Sequence, residues 1–159
     1  MIQRVQTVLF LVAAICFAVA CFKPIGTITT MDKCYVVTPW SLKALEENNP
    51  DGKPIHQTYF IGLLQLTLAV ISFVTIFLYK NRPLQSKFCI AATVINFVLL
   101  LLMLYVYPDI VFAKLPKIHY YEGQPPWVFL SIIPLACLYF ANKFVIKDEK
   151  KVRAADRLR

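Results

Sequence analysis

Four stretches of the chain, 5–22, 57–79, 88–108 and 123–142, contain no Asp, Glu, Lys, Arg or His. Each is close to the ~20 residues that an α-helix needs to cross a ~30 Å hydrocarbon layer. In a chain of 159 residues they leave little material for anything else. The mean hydropathy of +0.61 and the 58% share of hydrophobic residues belong to the same class. None of the runs alternates apolar with polar residues, and only a helix satisfies its backbone hydrogen bonds within one segment, so spanning strands are disfavoured. The expected fold is an all-α membrane protein with four transmembrane helices at 5–22, 57–79, 88–108 and 125–142. Loops at 23–56, 80–87 and 109–124 join them, and a tail at 147–159 follows a transmembrane domain of residues 1–146.

Four crossings put the N-terminus, the 80–87 turn and the tail on one side. That side holds 11 Lys and Arg against 3 acidic residues, whereas the 23–56 and 109–124 loops hold 6 of each sign. The whole net charge of +8 therefore sits on one face, and an excess of Lys and Arg in short segments marks that face as cytoplasmic. Both termini are expected inside and both longer loops in the periplasm. The tail residues Lys147, Lys150, Lys151, Arg153, Arg157 and Arg159 form a basic docking surface, and Val145, Val152 and Ala155 fall on one side at helical spacing. Anionic lipid headgroups or an acidic protein would suit it. Specific nucleic acid is not expected, because the tail has no aromatic residue on which a base could stack.

The opening MIQRVQTVLFLVAAICFAVAC imitates a secretory signal, but Ala18 stands three residues before Cys21, where lipoprotein processing favours Leu. The first helix is read as retained. MIQRVQT at the start and ANKFVIKDEKKVRAADRLR at the end resemble the four-pass membrane family of Bacteroidota catalogued as domain of unknown function 4293. The resemblance runs over the whole chain in length, span number and both terminal motifs. It implies a bacterial inner-membrane home and no activity.

Within the spans the absence of ionisable groups argues against proton-coupled transport, voltage sensing and ion pumping. Among the polar residues that remain, Asn96, Ser72 and Thr75 lie near mid-depth and Gln65 nearer the outer face, as does Gly62. Two readings stand. They are interhelical hydrogen bonds of ~0.6 kcal/mol each, or a polar notch in which Pro134 frees the carbonyl of Leu130 for a ligand or a partner helix. The run FVLLLLMLYVY is apolar around its whole circumference and suits lipid or another membrane protein.

The outer loops carry local structure. GTITTMDKCYVVTPW has strand composition and KIHYYE resembles it, so the two are expected to pair as a small sheet in a periplasmic cap. SLKALEEN reads as a short helix capped by Ser41, and NNPDGKP as a turn. Trp40, Trp127, Tyr59, Tyr79, Tyr105 and Tyr107 are placed as an aromatic belt at the span ends. Cys16, Cys89 and Cys137 lie in spans, which leaves Cys21 and Cys34 as the one pair able to form a disulfide on the oxidising side. His56 and His119, with Cys34, Asp51 or Glu122, lack ligand-pair spacing. There is no GxSxG, no phosphate-binding Gly-rich loop and no carboxylate pair in a span.

No catalysis, cofactor or metal is therefore expected. The function expected is that of a non-enzymatic accessory or scaffold subunit of an inner-membrane envelope complex, with protein translocation or insertion machinery as a suitable host. Its partners would be other integral membrane proteins, anionic headgroups on the cytoplasmic face and a periplasmic domain on the outer cap. The alternative is a binder or carrier of a small hydrophobic molecule or lipid.

Overall fold

The computed structural model describes residues 2–30, 34–45, 54–57, 59–106, 109–110, 119–121 and 130–157. All four uncharged runs contribute helix: α1 (Ile2–Ala20), α2 (Tyr59–Phe77), α3 (Arg82–Leu101) and α4 (Ile132–Arg157). A 3₁₀ turn, Leu78–Lys80, closes α2, and Pro83 opens α3 in its first turn, where its fixed φ suits the helix and its missing N–H costs nothing. A π-helical turn, Leu102–Val106, extends α3. By length and composition α2 and α3 with its π turn are long and apolar enough to cross a membrane, whereas the apolar part of α1, Val5–Ala20, is shorter.

The helices stand in chain order around a ring, α1 and α3 each packing against both α2 and α4. Their inward residues follow alternating steps of four and three: 6, 10, 13, 17 and 20 in α1; 61, 65, 68, 72 and 75 in α2; 85, 89, 92, 96, 99 and 103 along α3; 131, 134, 138, 141 and 145 at α4. That heptad spacing keeps a seam facing the neighbours at the shallow crossing angles of a left-handed bundle. α4 runs without a break through the boundary expected at 147, because nothing from 135 to 157 is Gly or Pro. The basic tail is thus the end of a bundle helix and not a separate element.

One end of the bundle carries an antiparallel sheet of β1 (Gly26–Thr30), β2 (Cys34–Val37), β3 (Ser41–Leu45), β4 (Pro54–Gln57) and β5 (His119–Tyr121), in the order β4-β3-β2-β1-β5. The expected pairing of the two outer loops is present as Ile28↔Tyr121 and Thr30↔His119. Ile28, Tyr35, Val37 and Leu42 are buried and join Ile25, Phe17 and Ile61 in one apolar core that runs from sheet to bundle.

The helix expected from Ser41 is instead strand β3. Ser41 does not cap a helix: Thr38 N–H donates to its carbonyl at 3.0 Å and the Thr38 hydroxyl does so at 2.7 Å, closing a two-residue hairpin loop at Pro39 and Trp40. With the chain reversed there, antiparallel pairing to β2, Val37↔Leu42 and Val36↔Lys43, fixes the segment as a strand. Pro54 sits on edge strand β4 beside a bulge at Leu42/Lys43, where a missing donor is tolerated. The rest of SLKALEEN and most of the NNPDGKP turn lie outside the described residues, as do Trp127, Tyr107 and residues 125–129 of the fourth span.

Candidate functional site

The seam holds polar residues among apolar ones, and large apolar side chains cover the outside. Gln6, Gln65, Ser72, Thr75, Gln85, Asn96 and Ser131 are buried, while Leu63, Leu66, Val70, Phe73, Val74 and Phe77 of α2 and Ile90, Val94, Phe97, Val98 and Leu101 of α3 are exposed. A soluble bundle distributes these residue types the other way round.

Asn96 donates through Nδ2 to the Ser131 carbonyl at 3.1 Å, and two and about three turns further on Cys89 reaches the Leu138 carbonyl at 3.0 Å and Ser86 meets Asn142 at 2.8 Å. Between α2 and α3, Gln65 Nε2 faces Met103 Sδ at 3.8 Å and Gln85 Nε2 donates to the Thr75 carbonyl at 3.2 Å. Asn96 and Gln65 thus each contact a neighbouring helix. Thr75 does so through its carbonyl only, since its hydroxyl donates to Ile71 in its own helix at 2.6 Å. Ser72 is fully buried with no hydrogen-bond partner, and the same holds for the oxygens Gln65 Oε1, Asn96 Oδ1 and Ser131 Oγ.

Register places three of these oxygens at one level. Gln65 faces Met103, and Ser72 and Asn96 each lie seven residues, ~10 Å, further from the sheet along antiparallel helices; Asn96 in turn bonds Ser131. Pro134 does not free the Leu130 carbonyl as expected. α4 begins at Ile132, so the proline occupies its first turn, where no hydrogen bond is lost, and the carbonyl taken by Asn96 is that of Ser131. Gln85 and Ser131 were not singled out by the sequence reading; extending the four-three spacing from Cys89 and Leu138 finds both.

The sheet end is fastened by a residue expected in the aromatic belt. Trp40 donates through Nε1 to the Cys21 carbonyl at 2.8 Å, and its ring lies on Gly62, where a Cβ would stand 2.6 Å from the ring. Gly62 N–H donates to Pro39 at 3.1 Å, and Cys21 Sγ approaches the Gly62 carbonyl at 3.7 Å. Cys21 is thus committed to this joint, and Cys21 and Cys34 do not form the disulfide considered for them. Cys34 stands opposite Thr29, eight residues along the chain from Cys21, across the β1–β2 pairing. His56 and His119 lie on β4 and β5, opposite edges of the sheet, four strand spacings or ~19 Å apart. One metal cannot take both.

At the other end Asp148 gathers three helices. Gln6 of α1 donates to its carboxylate and Arg82 of α3 to its carbonyl, each at 3.2 Å. Lys143 lies 4.7 Å from the Tyr139 ring centre, and Lys147, Lys150 and Lys151 are exposed. The side chains of Arg153 and Arg157, and Arg159 altogether, lie outside the described residues. On the outer surface Leu11, Ala14, Ile15, Ala18, Ala69, Val70 and Phe73 line a groove of about 360 Å³ between α1 and α2.

No curated protein matches the chain. A family profile described as domain of unknown function DUF4293 matches residues 2–158, from the first turn of α1 to one residue past α4, and the chain belongs to that family.

Proposed function

We propose that the chain is a four-pass inner-membrane protein of Bacteroidota, with both termini cytoplasmic and the sheet periplasmic, acting as a non-enzymatic accessory or scaffold subunit of an envelope complex. Bacterial group and membrane rest on the resemblance of the terminal motifs. The observation that supports membrane insertion is the inverted bundle: its polar groups face inward and large aliphatic and aromatic side chains cover the outside of all four helices. In lipid the outer face costs nothing and the seam glues helices together.

A scaffold needs surfaces on both sides of the membrane in fixed relation. The Trp40–Gly62 joint fixes the sheet to α1 and α2, and Asp148 fixes the opposite end through α1 and α3. The apolar α1/α2 groove offers a third surface, to the helix of an integral partner. Assemblies that translocate or insert proteins are hosts with components on both sides, and one of them is our choice of complex.

Mild-detergent purification of the tagged chain is expected to bring down membrane partners in stoichiometric amounts. Recovery of a lone monomer or homo-oligomer carrying bound lipid would instead favour a carrier. That second reading draws on the orphaned oxygens of Ser72, Asn96 and Ser131, which a polar ligand group could satisfy. Asn96→Leu separates the two. It removes one interhelical bond and one orphan together, so a scaffold should keep its partners and lose no more than ~0.6 kcal/mol of stability, whereas a carrier using this layer should lose its lipid.

A further inference from the structure

Between α1 and α4 the buried and half-buried residues fall into two stripes that count off against each other. On α1 they are Gln6, Leu9, Ala13, Cys16 and Ala20, at steps of three, four, three and four. The other side of that helix, with Leu11, Ile15 and Ala18, lines the groove against α2. On α4, read from its far end, the stripe is Asp148, Phe144, Ala141, Cys137 and Pro134, at steps of four, three, four and three. Asn142, bonded to Ser86, marks the side of α4 turned to α3 instead.

The bond from Gln6 to Asp148 at 3.2 Å sets the first pair. Each later step on one helix is matched by a step on the other to within one residue, or ~1.5 Å. Ala13 thus comes level with Ala141, both fully buried, and Cys16 with Cys137. A charge on the Cys137 sulfur is felt at Cys16. Facing alanines let the axes approach to ~8–9 Å. With each Cα ~2.3 Å from its axis, residues at the margin of such a seam have Cα atoms ~4–6 Å apart, which overlaps the range that a disulfide accepts.

Both thiols are free and half-buried. Their neighbours one turn away, Val19, Ile133 and Phe140, are 40%, 45% and 50% exposed, so the pair opens on the apolar outside of the bundle and not on its interior.

We propose that Cys16 and Cys137 are an oxidative modification site, a dithiol that a lipid-soluble quinone converts to a disulfide tying α1 to α4. The proposal rests on the membrane insertion argued above. Two S–H bonds break and one S–S bond forms; the quinone takes both protons and both electrons and leaves as its quinol. At this depth the pair meets reagents that dissolve in hydrocarbon, while charged thiols and disulfides stay in water. The balance between dithiol and disulfide then follows the redox state of the quinones in the bilayer. No third His, Cys, Asp or Glu joins the two among the described residues, as a structural metal centre would need.

The test uses the full chain with Cys34→Ala, which removes the thiol on the sheet and leaves four of the five cysteines, in phosphatidylcholine nanodiscs. The oxidant is decylubiquinone, whose ring carries no free position to which a thiol could add. After denaturation in SDS, polyethylene-glycol maleimide is expected to label all four cysteines of the untreated chain, two after the quinone, and four again after dithiothreitol. Digestion should yield a disulfide-linked peptide pair containing Cys16 and Cys137. Adding Cys16→Ala or Cys137→Ala should leave three labelled cysteines with or without quinone.

Full labelling after quinone, a disulfide to Cys21 or Cys89, or a disulfide between two copies of the chain would overturn the pairing. Oxidised glutathione, charged and confined to water, is expected to leave all four labelled. If it closes the Cys16–Cys137 bond as fast as the quinone does, the pair faces water, and the membrane reading fails while the pairing stands.

Discussion

Replacing Gly62 by Val should destabilise the protein by about 3 kcal/mol, seen as a large loss of folded protein in detergent and a lowered unfolding midpoint. A Cβ at this position would lie 2.6–2.8 Å from three atoms of the Trp40 ring. The ring cannot easily retreat, since its Nε1 is bonded to the Cys21 carbonyl and the preceding residue, Pro39, accepts from Gly62 itself. Trp40→Phe should cost only ~1 kcal/mol, the net worth of one hydrogen bond. If the clash is the cause, the damage from Gly62→Val should shrink when Trp40 is also replaced by Ala, a coupling opposite in sign to that of two independent losses. A Gly62→Val protein as stable as its parent would mean that the sheet and bundle are not joined here.

The joint shows what the sequence could and could not convey. Gly62 is the only glycine in any of the four spans, which is itself a sign of close approach. What approaches it lies 22 residues earlier, and no local pattern names Trp40. The helices were legible because an uncharged run of ~20 residues leaves the backbone few alternatives. So were β1, β2 and β5, because Ile28, Thr29, Val36 and Val37 prefer a pleated surface. SLKALEEN was misread because Leu42 and Leu45 are spaced for one face of a helix, and the hairpin at Pro39 and Trp40 that makes the segment a strand depends on pairing with β2. The polar seam was half legible. Asn96, Ser72, Thr75 and Gln65 stand out among apolar neighbours, but Gln85 sits in a segment whose charges make it read as a turn, and Ser131 acts through a backbone carbonyl that no side-chain pattern reveals.

Val94→Asp tests the medium in which the bundle stands. Val94 is 56% exposed and falls at the middle of Arg82–Val106. In water such a site tolerates a charge, with changes usually within about 0.5 kcal/mol. At the centre of a bilayer an aspartate costs ~2.5–3.5 kcal/mol, enough to reduce insertion of the helix severely. Val152→Asp supplies the control, because Val152 is exposed to a similar extent, at 42%, but stands on the protruding end of α4. Membrane-inserted, folded protein should fall steeply for the first substitution and hardly change for the second. Equal, small effects would mean that both valines face water. The aliphatic outer face would then have to be covered by protein instead of lipid, and the assignment of its two ends to opposite compartments would fall with it.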